Sequence, residues 1–444
     1  MTALIIRNVR LPAGQQCDVA IDNGRIAAIG AKLCQKGHDF DATGCTLLPG
    51  LHDRHLHILA TAARRYSIDL SRLPSEDHIA VTLRGASGPA LRAIGYDERI
   101  AGLPDAKMLD CWAPDRPLRV QDRTGALWVL NHRALAQLGD LPLPAGAERI
   151  DNGELTGRFW REDKWLGRAL QHQPPEISSL GRELARFGIT ALTDAGAGNG
   201  PDEARLLAGK LPQKLTLMGD ERLEAGAGYT LGPLKLLFDE RDLPAFDDLA
   251  ARIAAARAVG RAVAAHCVTE GELAIYLAAL DAAGGAKRGD RIEHGALIGA
   301  GFIPLIAASG LTVVTNPAFL HDRGDRYLAQ VPPENLQDLY RARTLRSAGI
   351  PLLAGSDAPY ASVDPWTGMR SARDRMTALG HPIGLSERLT ACAALSLWCH
   401  GTIEPGESAD LALCEGDPAA VLNDLTAERV KATIVDGVVL FREW

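Results

Sequence analysis

The sequence has no long run of apolar residues and no excess of basic residues. Of its 444 residues, 46% are hydrophobic and 23% are charged, and the formal net charge is −7. No segment approaches the roughly 20 consecutive apolar residues that a membrane-spanning helix requires. Lys and Arg are scattered, whereas nucleic-acid-binding proteins concentrate them on one face. We therefore expect neither a membrane protein nor a partner of nucleic acid.

Closely spaced cysteines are also missing. The eight cysteines are spread along the chain and none forms a C-x-x-C pair. A chain of this length can bury a sufficient core without disulfides. The first residues lack the apolar segment and small-residue cleavage site of a signal peptide. We expect reduced thiols and a cytoplasmic location, and we also expect a homo-oligomer.

Both ends of the chain contain short, strand-like runs. Asn23-Gly24 and Asp436-Gly437 each separate two such runs, and an Asn-Gly or Asp-Gly step between strands predicts a hairpin. We expect residues 1–48 and 405–444 to form one small β-sandwich domain together. Two unrelated terminal additions are the alternative.

Between these ends, short apolar runs alternate with helix-like stretches, which is typical of parallel α/β architecture. Eight parallel strands predict an α/β fold of the (β/α)8 TIM barrel type over residues 49–404. A doubly wound open sheet is the alternative, but no glycine-rich phosphate turn follows the first run. The eight candidate strands are residues 45–57, 188–196, 215–219, 232–239, 261–267, 290–295, 311–317 and 350–357.

A long segment interrupts this alternation between the first and second runs. Residues 70–180 are far more than one crossover helix requires, and long ordered insertions are commonly functional. Since the insertion follows a barrel strand, we expect it to cover the active site as a lid or pocket wall. Clustered aromatic residues are more often a local core than a pocket wall, but at the barrel mouth those of this insertion predict an apolar or aromatic substrate substituent. They are Trp112, Trp128, Phe159, Trp160 and Trp165.

Six residues near the ends of the candidate strands have side chains that can bind a metal ion. His55 and His57 are two positions apart, so both point to the same side of an extended strand. Each residue alone has an ordinary explanation, such as a helix N-cap at Asp357. Together they fall where TIM barrels place their active sites, and nitrogen and carboxylate ligands suit zinc and its neighbours. The six are His55, His57, Lys235, His266, His294 and Asp357.

The motifs around these residues resemble those of the amidohydrolase superfamily. PGLHDRHLH is similar to its P-G-x-x-D-x-H-x-H opening, and GITALTDAG, HCVTEGEL, RIEHGALI and AGSDAPY follow in its order. The segments GALWVLNHRAL and ELTGRFW resemble the amidohydrolase-3 branch, which includes N-substituted formamide deformylases. Two positions depart from that branch. Glu270 stands where an Asp is usual, and Gly125-Ala126 stands where a Gly-His pair is usual.

This resemblance implies a hydrolase that uses two divalent metal ions, with zinc the leading candidate. His55 and His57 would hold one ion, and His266 and His294 the other. Lys235 would bridge the two ions as a carboxylated lysine. Asp357 would bind the first ion and act as a general acid–base. The implied reaction is cleavage of a C–N bond in an amide, formamide, carbamate or urea by metal-activated hydroxide.

We expect four further residues to contact the small-molecule substrate. They are Trp128, Arg158, Asn316 and Tyr360.

Two other functions remain possible from the sequence. One is a heterocycle deaminase with a single metal, but such enzymes place a proton-shuttling Glu where this chain has Thr269. The other is a non-catalytic scaffold on the same fold, which should have lost several of the six ligands.

Overall fold

The computed structural model describes residues 4–35, 37–170, 175–238 and 243–443. The chain divides into two compact units. The first consists of Met1–Ile58 together with Ile177–Trp444, and the second is Leu59–Glu176.

Eight parallel strands in the first unit pair with one another in chain order, which confirms the predicted TIM barrel. The eighth strand returns to the first, where the Asp357 amide donates a hydrogen bond to the His55 carbonyl at 2.6 Å. Each strand overlaps one of the eight predicted runs, although residue 239 of the fourth run lies outside the described residues. Barrel strands 1 to 8 are Leu51–Leu56, Ile189–Asp194, Lys214–Gly219, Thr230–Leu236, Val263–Cys267, Arg291–His294, Thr312–Thr315 and Leu352–Ala354.

Helices connect most of these strands. The helix after strand 5 begins at Thr269, whose side chain accepts a hydrogen bond from the Glu272 amide, while Glu272 reaches back to the Thr269 amide. This capping box satisfies backbone donors that the first helical turn leaves without partners. The longer helices of the unit are Ser178–Arg186, Pro201–Leu207, Phe246–Ala258, Glu270–Ala282, Ile303–Ser309, Gly324–Gln330, Pro365–Asp374 and Pro418–Asp424. The shorter ones are Ala318–Asp322, Ala342–Ser347 and Ala391–Ser396.

A separate β-sheet contains strands from both ends of the chain, as the sequence predicts. The two ends meet where Cys45–Pro49 pairs antiparallel with Leu411–Glu415. Val19, Leu47, Leu411 and Ile434 belong to one buried cluster between these strands. The remaining strands are Leu4–Arg10, Gln16–Asp22, Arg25–Gly30, His38–Asp41, Val430–Val435 and Val438–Arg442.

The run 45–57 was expected to be one barrel strand, but the structure divides it at Gly50. Residues before Gly50 belong to the terminal sheet and residues after it belong to the barrel. The Gly50 amide donates to the Asp410 carbonyl, and its own carbonyl accepts from the His400 amide. A Cβ atom at this position would lie 2.2 Å from the Thr190 hydroxyl oxygen. A glycine is therefore required where the chain passes from one sheet to the other.

The second unit contains a six-stranded sheet with its own core. Leu83, Leu109, Trp112 and Val129 are among the residues buried there. Its strands, in sheet order, are Ala147–Arg149, Leu155–Trp160, Leu127–Leu130, Leu118–Asp122, Leu91–Tyr96 and Ile68–Asp69. Its helices are Glu76–Gly85, Glu98–Ala101, Ala106–Trp112, His132–Ala136 and Asp163–Ala169, and Ile58–Arg64 enters it from the barrel. Across the described residues of both units, no helix is long and apolar enough to cross a membrane.

Replacement of Gly50 by alanine tests the passage between the sheets. The added methyl group would overlap buried Thr190, and overpacking of this kind typically destabilises a fold by about 1–3 kcal/mol. We expect Gly50→Ala to lower the Tm measured by circular dichroism. Gly301→Ala is the matched control, because a Cβ there meets no atom within 4 Å. A Gly50→Ala protein as stable as the Gly301→Ala protein would contradict this account.

Candidate metal centre

Three of the predicted ligands meet where the first and eighth barrel strands end. The Nε2 atoms of His55 and His57 lie 3.5 Å and 3.2 Å from Oδ1 of Asp357. One potential ligand atom from each of the three residues lies within 4.8 Å of the others. Gly355 permits this approach, because a Cβ atom there would lie 2.4 Å from the His55 backbone nitrogen. The close contact between strands 1 and 8 thus brings the three side chains together.

The donor atoms of this group suit a divalent metal ion. Nε2 of His55 and Oδ1 of Asp357 are fully buried, and neither has a hydrogen-bond partner among the described residues. Buried polar atoms in proteins normally have partners, so two such atoms facing each other need an explanation. A metal ion bound by imidazole nitrogen and carboxylate oxygen would satisfy both.

The other three predicted ligands lie at the ends of strands 4, 5 and 6. The His294 ring centroid is 4.6 Å from that of His55 and 4.5 Å from that of His266. Lys235 is 3% exposed, and its Nζ atom has no hydrogen-bond partner in the part of the chain that the structure describes. The three histidine rings therefore form a continuous row at the barrel centre, with buried Lys235 on the neighbouring strand.

Burial and charge determine the protonation of these groups. Burial lowers the pKa of Lys235, which favours its neutral amine. Burial alone would raise the pKa of Asp357, but the adjacent His57 ring and the charges of His55 and His294 hold it well below its usual range. The centre thus combines an ionised carboxylate with a lysine that readily loses its proton.

Glu293 is a member of this centre that the sequence analysis missed. It is fully buried, accepts a hydrogen bond from Nδ1 of His55, and forms an ion pair with Arg291 at 2.7 Å. Burial opposes ionisation of Glu293, but the positive charges of Arg291 and Lys235 hold its pKa well below the usual range. With Nδ1 donating to Glu293, Nε2 of His55 is left as the ligand atom.

The backbone conformation of His294 explains why the sequence did not predict Glu293 as part of this centre. Consecutive residues of a strand point to opposite faces, so Glu293 and His294 were not expected to share one site. His294 has φ of +67°, outside the strand conformation, and both side chains reach the centre. The available signal was a carboxylate inside the short buried strand RIEH, which is as unfavourable as the buried Lys235.

Asn316 orients the predicted ligand His294, as Glu293 orients His55. Its Oδ1 atom accepts a hydrogen bond from Nδ1 of His294 at 2.8 Å, and its Nδ2 atom donates to the Gly355 carbonyl at 2.9 Å. Asn316 is fully buried and its amide joins strands 6, 7 and 8. These contacts orient His294. The predicted contact of Asn316 with substrate stays a prediction.

Asp53 connects the two strands that carry the His55–His57–Asp357 group. Its Oδ1 atom accepts from the amides of Ser356 at 2.9 Å and His55 at 3.2 Å. Burial raises the pKa of Asp53 to about 7. The side chain lies behind the ligands and fixes the backbone that presents them.

The other predicted substrate contacts differ in their surroundings. The Tyr360 ring lies 5.6 Å from that of His57, and the Tyr360 amide donates to the Asp357 carbonyl. Trp128 and Arg158 lie in the second unit, where Trp128 donates to Asp163 and Arg158 binds Glu148. Only Tyr360 of these three contacts a metal-ligand candidate within its own unit.

The aromatic residues of the insertion mostly build the core of the second unit. Trp112, Trp128 and Phe159 are at most 3% exposed, and Trp165 stacks on Phe159. Trp160 is 36% exposed and donates to Glu148. Their presence therefore gives no reason to expect an apolar substrate substituent.

Comparisons with known proteins agree with the geometry. Residues 40–441 match the family model described as the amidohydrolase family. The N-substituted formamide deformylase of Arthrobacter pascens is 25% identical over 532 aligned residues, covering 99% of this chain and 98% of that protein.

Solved structures show the same fold. An uncharacterized metal-dependent hydrolase from Pyrococcus horikoshii superposes with a TM-score of 0.73 at 18% identity, covering 94% of this chain and 98% of that one. N-isopropylammelide isopropylaminohydrolase from Burkholderia multivorans gives a TM-score of 0.59 at 17% identity, covering 100% of this chain and 99% of that one. The family match extends over nearly the whole sequence, including all six predicted ligands. The chain therefore belongs to the amidohydrolase family.

Proposed function

We propose that this protein hydrolyses a C–N bond of a small amide, formamide, carbamate or urea. The observation that carries the proposal is the convergence of His55, His57, His294 and Asp357 at the carboxyl ends of the barrel strands, where TIM barrels carry out catalysis. The similarity to an N-substituted formamide deformylase over almost the full length of both chains supports the same reaction class.

We propose that the cofactor is a pair of divalent metal ions, with zinc as the leading candidate. His55, His57 and Asp357 would hold one ion, and His266 and His294 would hold the second. Bound metal lowers the pKa of water and polarises a substrate carbonyl. The buried, unpartnered Nε2 of His55 and Oδ1 of Asp357 support the first site most directly.

Asp357 would move the proton in this reaction. Its depressed pKa keeps the carboxylate ionised at neutral pH, so it can accept a proton from the attacking water. Nε2 of His57 lies 3.2 Å from one carboxylate oxygen, whereas Nδ1 of His294, 3.8 Å from the other, is bonded to Asn316. The protonated carboxyl group would then donate to the leaving amine nitrogen.

Lys235 would act as a carboxylated residue. Carbon dioxide adds to a neutral amine, forming an N–C bond and releasing a proton, and burial of Lys235 favours that neutral form. The resulting carbamate would offer two oxygen ligands in place of a nitrogen atom that has no partner among the described residues. It would also place a negative charge beside two cations, at a position where the free amine is neutral.

The structure weakens the deaminase alternative at one position. Thr269, which stands where those enzymes place a proton-shuttling Glu, caps a helix through the Glu272 amide. Glu272 is buried and bonded to the amides of Val268 and Thr269. Neither side chain is available to move protons at the metal centre.

Product analysis tests the reaction class. We expect the zinc-loaded protein to release amine from N-formyl amines, simple amides or carbamates, and to lose this activity when a strong chelator removes the metal. Aminopyrimidines serve as the comparison substrates, with ammonia as the measured product. Ammonia release from these heterocycles without cleavage of any open-chain amide would overturn the proposal.

Replacement of Asp357 by asparagine tests the proton transfer. Asparagine keeps the shape but cannot accept a proton, and general acid–base groups typically contribute ~10²- to 10⁴-fold. We expect kcat to fall at least 100-fold while the circular dichroism spectrum is retained. Metal content measured on the same sample separates loss of the base from loss of the ion. Near wild-type turnover would show that Asp357 is a structural group only.

Replacement of Lys235 by alanine tests the bridge. We expect Lys235→Ala to bind fewer ions per chain in elemental analysis, and added short carboxylic acids such as propionate to restore part of the lost activity. The acids would place a carboxylate in the space that the lysine leaves. Two bound ions with full activity in Lys235→Ala would exclude the bridging role.

A further inference from the structure

A pair of arginines in the second unit is not used by the proposed reaction. Arg92 and Arg119 are direct partners on neighbouring parallel strands, so both side chains emerge from the same face of the sheet. Like charges placed opposite each other on a sheet are destabilising. The pair therefore needs a compensating interaction.

Trp128 lies on the strand next to that of Arg119, and its ring contacts both arginines. The guanidinium carbons of Arg92 and Arg119 lie 4.9 Å and 5.1 Å from the centre of its ring. Trp128 is 3% exposed, and its indole nitrogen donates to Oδ1 of Asp163 at 2.6 Å. A fixed aromatic ring thus holds two positive charges close together.

Asp163 offsets only part of this charge. Its Oδ1 atom also accepts from the Gln121 amide at 3.3 Å. The charges of both Arg92 and Arg119 act on this carboxylate, so two guanidinium groups share one acidic neighbour.

The guanidinium group of Arg119 has no hydrogen-bond acceptor among the described residues. Arg92 donates to Ser67 and to the Ala63 carbonyl, whereas no described residue accepts a hydrogen bond from Arg119. Burial, together with the charge of Arg92, lowers the pKa of Arg119 to about 9. Arg119 is half-buried, and a guanidinium with no protein acceptor can use its donors to bind an anion.

Three other arginines of the same unit each have at least one hydrogen-bond acceptor, although the buried Nε of Arg123 has none among the described residues. Arg123 donates to Glu98, and Arg158 donates to Glu148 and to two backbone carbonyls. Arg116 donates to three backbone carbonyls. Arg119 therefore stands apart from its neighbours by its environment rather than by its residue type.

We propose that Arg119, supported by Arg92 and Trp128, binds the carboxylate group of a small molecule. A planar guanidinium binds a carboxylate through two parallel hydrogen bonds, and the neighbouring Arg92 adds electrostatic attraction. The ligand is a free small acid.

Binding of succinate to the full-length protein tests this site without reference to activity. We expect isothermal titration calorimetry to detect succinate binding to the wild type, and Arg119→Met to weaken it at least tenfold. Asp163→Asn should strengthen it, since it removes the competing negative charge while its amide oxygen can still accept from Trp128. Arg149→Met is the matched control, because Arg149 is an exposed arginine of the same unit, and its affinity should equal that of the wild type.

Two results would overturn the proposal. One is a wild type that binds no succinate at millimolar concentration. The other is an affinity that Arg119→Met leaves unchanged, or that Arg149→Met lowers equally, which is the behaviour of an adventitious ion. Circular dichroism of each variant excludes loss of folding as the cause.

Discussion

The contact between the first and eighth barrel strands is the constraint on which the metal centre depends. These strands carry His55, His57 and Asp357, and the Asp357 amide is bonded to the His55 carbonyl at 2.6 Å. Gly355 has no side chain and so allows the approach, while the Asp53 carboxylate ties the two backbones together. A larger residue at position 355 would separate the ligands before it disturbed any other part of the barrel.

The ligands are themselves held by a layer of buried polar groups. Glu293 fixes the orientation of His55, and Asn316 fixes that of His294. Each of these partners is in turn bonded to a further group, Arg291 and the Gly355 carbonyl respectively. Such layers determine which ring nitrogen faces the ion, and their loss typically weakens metal binding by 10- to 100-fold.

Much of the architecture could be predicted from the sequence, because strands buried on both faces are continuous apolar runs and the ligands lie at their ends. The division of residues 45–57 at Gly50 could not, since both halves are equally apolar and only tertiary contacts assign them to different sheets. Glu293 was missed because His294 departs from strand geometry with φ of +67°. The sequence left the aromatic residues of the insertion open between a local core and a pocket wall, because hydrophobic residues look alike in a core and in a binding site. The sequence also does not reveal that Arg119 lacks a hydrogen-bond acceptor among the described residues, because this depends on which residues surround it in the fold.

The terminal sheet also has a consequence for the order of folding. Cys45–Pro49 lies near the start of the chain, and its partner Leu411–Glu415 lies near the end. Likewise, barrel strand 1 receives its closing contact from strand 8 only after most of the chain has been synthesised. Loops of this length close slowly, because their entropy is lost before the contacts form. During translation, the strand that carries His55 therefore has an unpaired edge until strand 8 has left the ribosome, and a chain that ends before strand 8 would expose that edge to aggregation.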